Sequence, residues 1–248
     1  MMQNVAPTRS LTRIARQLLL VAFVLVSIGI FIGTVGVLLL LIPFSAPNTN
    51  GYGVQRAIAT LSLILGAGVA VGGLGFALRA LTRRTDNDLA YKTGKFLLDV
   101  FDERYTFIRN INRPKLGYID AVLVGPPGVL VFRIVNTPGE FLNEGAGWVK
   151  RNAQGQSVLW RVSPTKEAIK DVESVRTFLQ EGYGLSVDVY AVVLFTTSPE
   201  VSKVDKRQPV VPVAHLTTLV DSLRTNYLAK ERLHPKDTTH ISSLLLGE

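Results

Sequence analysis

Two long stretches without a charged side chain, Leu18–Phe44 and Ala57–Leu78, set the first limit on how this chain can fold. They hold 27 and 22 residues. The hydrocarbon core of a bilayer takes about 20 helical residues, so each run is long enough to cross it with some tilt. A signal peptide would need an apolar region of only about 7–15 residues followed by a small-residue cleavage site, and the first run exceeds that. Ser45–Tyr52 between them is polar and uncharged, so the two runs predict a helical hairpin. Arg9, Arg13 and Arg16 precede the pair and Arg79, Arg83 and Arg84 follow it, whereas the connection holds only Arg56. The excess of basic side chains on one side predicts that both termini are cytoplasmic. The expectation is a multi-pass protein of a prokaryotic plasma membrane, with a cytoplasmic arm over 1–16 and the two-span hairpin over 17–81.

Glycines recur at a spacing of four in both runs, Gly29 with Gly33 and Gly68 with Gly72. Such pairs lie on one helix face and let backbones approach closely. They serve either to seat the two spans on each other, the simpler reading, or to join copies of the chain as a homo-oligomer. Neither run contains an ionisable residue, so nothing in them marks a proton or ion path.

The net charge of +8 invites a nucleic-acid reading, but its distribution opposes it. Residues 1–84 contain seven arginines and no acid, while residues 85–248 contain the other 20 basic side chains and all 19 acids. A DNA footprint belongs on the soluble part, which is close to neutral. Local basic groups, Arg109, Arg113 and Lys115, or Lys203, Lys206 and Arg207, leave nucleic acid as a disfavoured partner. With no cysteine there is neither a disulfide nor a thiolate metal site. His215, His234 and His240 have no ligand spacing, which excludes zinc chemistry.

The soluble part reads as alternating helices and strands. A polar juncture at Thr82–Asn87 leads to an amphipathic helix over Leu89–Arg104 and a strand over Tyr105–Asn112. Two apolar strands follow, Ile119–Val124 and Val129–Val135, joined by Gly125-Pro126-Pro127-Gly128. Trp148–Arg151 and Ser157–Val162 predict a second hairpin around Asn152–Gln156. Ser163 and Pro164 are expected to start a helix as cap and first residue. Val187–Phe195 is a strand covered on both faces. A short strand at Val210–Val213, a helix over Leu216–Tyr227 and a last short helix beyond Pro235 complete an α/β domain with a mixed sheet. Glu140 and Glu144 read as solvated loop acids, and His215 as an ordinary helix-start residue.

Each strand of the central hairpin carries one ionisable side chain, Asp120 or Arg133, and such groups are costly to bury without a partner. If Pro126 and Pro127 are the turn residues, residues whose numbers sum to 253 oppose each other, which pairs Asp120 with Arg133. Their Cβ atoms would then stand roughly 4.5–5.5 Å apart. In the rival arrangement Arg133 reaches the sheet edge and Asp120 is satisfied by backbone donors; a slip of one residue at the prolines would also separate them.

The hairpin Gly117-Tyr-Ile-Asp-Ala-Val-Leu-Val-Gly-Pro-Pro-Gly-Val-Leu-Val-Phe132, followed by Asn136 and Gly139, resembles the centre of the NERD (nuclease-related) domain. That family is similar to the PD-(D/E)xK nucleases, which implies a restriction-endonuclease-like sheet flanked by helices, here over 88–230, with 231–248 as a helical tail. The resemblance implies a metal-binding Asp at Asp120 and a Glu-x-Lys whose positions fall on Arg133 and Val135. The upstream Gly-Glu of the family falls on Gly94 and Lys95, and its Asn-Pro-x-x-Gln entry begins here as Ser163-Pro164-Thr165-Lys166. Asp120, Arg133, Val135 and Lys95 thus make up a vestigial site. A nuclease of this class needs at least two carboxylates for magnesium and a Lys to orient the nucleophile, which Asp120 alone does not supply. The reading that follows is a membrane-anchored, catalytically inactive binding or scaffolding module without cofactor. Its partners are the lipid bilayer and a cytoplasmic protein. The alternative is a magnesium-dependent DNA hydrolase with a rearranged site.

Overall fold

The computed structural model of the chain describes residues 1–7, 11–47, 49–152 and 154–247, with the side chains of 11–15 and 82–87 outside the description. Arg9, Arg13, Arg83 and Arg84, four of the arginines that predict topology, therefore lie outside the described side chains. The chain divides into two compact units, Leu11–Thr85 and Met1–Ser10 with Asp86–Glu248.

The first unit is a helical hairpin of α1 (Leu11–Leu41) and the first part of α2 (Asn50–Leu97). The stretches Arg16–Leu41 and Asn50–Leu81 are long and apolar enough to cross a membrane, and only about a tenth of each is buried. Close approach is permitted by glycine: a Cβ on Gly29 would stand 2.6 Å from the Ala70 nitrogen, and one on Gly66 2.6 Å from the Gly33 nitrogen. Gly36 and Gly73 are nearly as confined, with a Cβ 2.9 Å from the Ala59 oxygen and 2.8 Å from the Val26 side chain. Gly68 and Gly72 have nothing within 4 Å, so the second glycine pair takes no part in seating the hairpin. Gln55 closes the loop end, donating from Nε2 to the carbonyls of Leu39 and Ile42 at 2.7 and 2.8 Å.

The second unit is built on a six-stranded mixed sheet. Its members are β1 (Gln3–Val5), β2 (Thr106–Arg113), β3 (Gly117–Gly125), β4 (Gly128–Val135), β8 (Val189–Phe195) and β10 (Val213–His215), in the order β1-β2-β3-β4-β8-β10. β2, β3 and β4 form an antiparallel meander, whereas β1 on β2, β8 on β4 and β10 on β8 are parallel. A second sheet, order β7-β6-β5-β9, is made of β5 (Gly139–Glu144), β6 (Gly147–Arg151), β7 (Ser157–Leu159) and β9 (Ser202–Arg207).

Strand β1 lies in the stretch read as a polar arm. Three residues carry no periodic signal, and pairing with β2 decides their conformation. Because β1 and β2 are parallel, everything between Val5 and Thr106, including the apolar hairpin, is a crossover connection inserted into the domain.

Alternation along the strands separates two apolar faces. Leu97, Phe107, Leu123, Leu130, Phe132, Leu194 and Tyr227 pack on one side. Val122, Val124, Val129 and Val131 meet Val175 and Leu179 of α3 (Pro164–Tyr183) and Ile241 and Leu245 of α5 (Pro235–Leu246) on the other. The tail over 231–248 thus contributes to the core. The β3–β4 turn is Gly125-Pro126-Pro127-Gly128, with Gly125 paired to Gly128. A Cβ on Gly125 would lie 2.2 Å from the Tyr105 ring, and Gly128 adopts φ +133. The Pro126 carbonyl accepts the amides of Arg232 and Leu233 at 2.7 and 2.8 Å, which fixes the turn from outside the hairpin.

Several expected boundaries move. Helix α2 continues through the expected juncture at 82–87 and ends at Leu97 rather than Arg104, because Asp102–Arg104 turn toward β2, with Tyr105 N–H bonded to the Asp102 carbonyl at 3.2 Å. Gly139–Glu144 and Ser202–Arg207 are strands, since pairing with each other satisfies backbones too polar to read as strands. The helix expected over Leu216–Tyr227 is α4 (Leu219–Leu223) between two 3-10 turns, and the strand expected at Val210–Val213 is shifted to β10. Ser163 stands at the N-cap of α3 without a side-chain cap bond; its hydroxyl donates to the Ala146 carbonyl at 3.1 Å instead.

Candidate functional site

The site lies where the β3–β4 ladder ends. The ladder pairs Gly125 with Gly128 and continues in the same register to Ala121 with Phe132, so the next opposed residues are Asp120 and Arg133. Here side chains replace the backbone bridge. Asp120 Oδ2 accepts the Ile134 amide N–H at 2.8 Å and stands 3.5 Å from Arg133 Nη1. Asp120 therefore has both the guanidinium and a backbone donor, combining the two arrangements that the sequence left open.

Arg133 points to the face covered by α3, where its Nη2 pairs with Glu167 Oε2. Pro164 at the helix start and Glu167 in the first turn suit this end electrostatically, because the N-terminal helix dipole favours an acid. One turn further on, Asp171 lies on the inner stripe of α3 with Ala168 and Val175. Burial disfavours the charge on Arg133, but the carboxylates of Asp120, Glu167 and Asp171 outweigh it and raise the guanidinium pKa. Burial pushes the Asp171 carboxyl up to about 7, with Asp120 and Glu167 adding to the rise and Arg133 and Lys170 opposing it. A cavity of about 260 Å³ opens here, lined among others by Tyr118, Arg133, Glu167, Lys170, Asp171 and Ser174.

Asp120 and Arg133 are thus brought together. Val135, the position of the motif lysine, is buried with Phe141, Trp148 and Ala168 and has no polar atom to offer. Lys95 is exposed on α2, whose neighbouring residues Phe96 and Leu97 pack on the opposite face of the sheet. It does not join the site. Glu140 is on β5 and pairs with Arg151 at 2.8 Å and Lys203 at 3.4 Å, and Glu144 ends the same strand, so neither is a loop acid and neither reaches Asp120. His215 ends β10, buried, with Nδ1 3.1 Å from the Thr197 carbonyl oxygen.

Glu167 and Asp171 were not singled out from sequence. Glu167 occupies the Gln position of an Asn-Pro-x-x-Gln entry read from Ser163. Asp171 falls at helical spacing between Ala168 and Val175, an acid on an inner stripe, and that was the available signal.

Magnesium, which a nuclease-like fold implies, does not fit this arrangement. It needs near-octahedral oxygen ligation, and the guanidinium already occupies the space between Asp120 and Glu167. Among the described residues no group of three His, Cys, Asp or Glu side chains is placed to hold a metal ion. Wider clefts of about 450 and 550 Å³ lie along the second sheet and beside Tyr190 and Tyr227. Their charges are largely paired, Glu140 with Arg151 and Lys203, and Arg232 with Asp188 at 3.1 Å.

The meander, the parallel strand beyond it and the helices on its faces define a mixed-sheet α/β domain with an acidic residue at the point where the hairpin opens. Residues 87–196 match the family described as NERD, nuclease-related domain. The chain carries a nuclease-related domain over that stretch. No curated protein and no solved structure matches the chain.

Proposed function

We propose that this is a two-span membrane protein whose nuclease-related domain does not cleave nucleic acid and serves as a cytoplasmic binding module. The observation that carries the reading is Arg133. Its guanidinium stands between Asp120 and Glu167, where it neutralises carboxylates that a hydrolase would need free for a metal ion. A guanidinium offers no vacant coordination position and activates no water. What remains is a polar concavity on a rigid sheet, the kind of surface that binds. Anchoring is supported by the length and apolarity of the two helices. The cytoplasmic orientation is supported by the arginines flanking them.

The full chain in detergent, incubated with DNA and millimolar magnesium, tests this. No magnesium-dependent cleavage is expected. Cleavage that vanishes in Asp120→Ala would replace the proposal with the hydrolase reading.

A further inference from the structure

We propose that the cavity beside α3 is a recognition site for a single ammonium or guanidinium group, with Asp171 as the carboxyl that receives it. The proposal rests on the reading of this site as one that binds rather than cleaves. Asp171 lines the cavity and is 9% exposed, yet its carboxyl makes no hydrogen bond or ion pair among the described residues, and Oδ2 is fully buried without a partner. A buried polar group without a partner is costly and calls for a missing one.

The surrounding charges say which partner. From the sheet, β3 contributes Asp120 and Tyr118 and β4 contributes Arg133; α3 contributes Glu167, Lys170 and Asp171 itself. Arg133 is committed to Asp120 and Glu167. Lys170 is exposed and makes no ion pair among the described residues, so its flexible ammonium stays in solvent. With Asp171 ionised the cluster holds three carboxylates and two cations, one positive charge short. The group that completes it carries one positive charge and N–H donors, and a cavity of about 260 Å³ has room for a guanidinium or ammonium with its first methylenes. A divalent metal ion is a poor match, because the other two carboxylates are held by Arg133.

The group is presented either by a free small molecule or by a Lys or Arg side chain of the protein partner. The test uses the full chain in detergent at pH 8, where Asp171 is ionised, with methylguanidinium, methylammonium and N-acetyl-arginine amide as probes. Tetramethylammonium, which has the charge but no N–H, serves as control at equal ionic strength. Methylguanidinium or methylammonium should raise the melting temperature saturably. Tetramethylammonium should not, and the rise should be lost in Asp171→Asn and kept in Glu144→Gln, an exposed acid elsewhere. Lys170→Met should tighten binding by several-fold. Tighter binding of N-acetyl-arginine amide than of methylguanidinium by tenfold or more identifies a protein side chain as the source; equal binding identifies a free cation. No saturable rise, the same rise in Asp171→Asn, or an Asp171-dependent rise with magnesium would overturn the proposal. None of these outcomes depends on whether DNA is cleaved, so the two proposals fail separately.

Discussion

Arg133 and Asp120 face each other across the open end of the β3–β4 hairpin, with Nη1 3.5 Å from Oδ2, and only a quarter of the Arg133 side chain is exposed. Removing one partner of a buried pair leaves an uncompensated charge, at a cost of roughly 3–5 kcal/mol. The partial exposure lowers the expectation for Arg133→Met to about 2–4 kcal/mol. The double variant Arg133→Met with Asp120→Asn should recover part of the loss, because the more buried of the two carboxylates left behind, Asp120 rather than Glu167, is neutralised too. Denaturant unfolding followed by tryptophan fluorescence measures both, and equal midpoints for Arg133→Met and wild type would contradict the pairing.

Asp171 predicts an unusual pH dependence. Its folded pKa of about 7 lies above the ordinary value of 3.8, so the folded state binds this proton more tightly than the unfolded state does. The group's contribution is fully present below about pH 4 and is lost as pH rises through about 7. Asp171→Asn should therefore be more stable than wild type at pH 8, by up to about 4 kcal/mol, with the advantage shrinking toward pH 5. A stability difference that does not change between pH 5 and 8 would show that the carboxyl is not held in this way.

A buried hydrogen bond ties the second sheet to α3. Trp148 Nε1 donates to Thr165 Oγ1 at 2.8 Å, and both residues are almost wholly buried. Thr165→Val keeps the shape and strands the indole N–H, which should cost about 1–3 kcal/mol. Thr165→Ser should cost less, since the hydroxyl is retained. Unfolding midpoints of the two variants settle the order, and equal losses would assign the effect to packing.

The existence of the central hairpin was legible because its signals agree, two apolar runs, a Gly-Pro-Pro-Gly turn and one charge on each strand; its register was left open by the consecutive prolines, and the pairing of Gly125 with Gly128 is what brings Asp120 to Arg133. The second sheet was not, because Gly139–Glu144 and Ser202–Arg207 carry charges that conceal strands stabilised only by pairing with each other. Glu167 and Asp171 were hidden differently. Acids on a helix usually face water; Asp171 differs only by falling at the spacing of the buried Ala168 and Val175, and Glu167 stays partly exposed and is marked only by the guanidinium that the sheet brings to it. Strand β1 had no local signal at all.

That same strand carries the last prediction. Gln3, Asn4 and Val5 pair in parallel with Thr106, Phe107 and Ile108, and Met2 is buried in the core that holds Leu97 and Phe107. A chain that leaves this sheet at Val5 and rejoins it at Thr106 starts and ends this excursion on the domain's side, so under the proposed membrane reading any crossings between the two points are even in number. Two apolar helices lie between them. The count is independent of the arginines, and under the proposed membrane reading both arguments predict that the Ser45–Tyr52 loop is exposed on the side of the bilayer opposite the termini. The chain has no cysteine, so single cysteines report cleanly. In intact cells, Thr49→Cys should react with an impermeant thiol reagent, whereas Gln3→Cys and Lys230→Cys, all three at exposed positions, should react only after permeabilisation. Protection of Thr49→Cys together with labelling of the other two would invert the orientation. Labelling of Gln3→Cys alone would break the β1–β2 pairing itself, because a strand cannot join a sheet across the membrane.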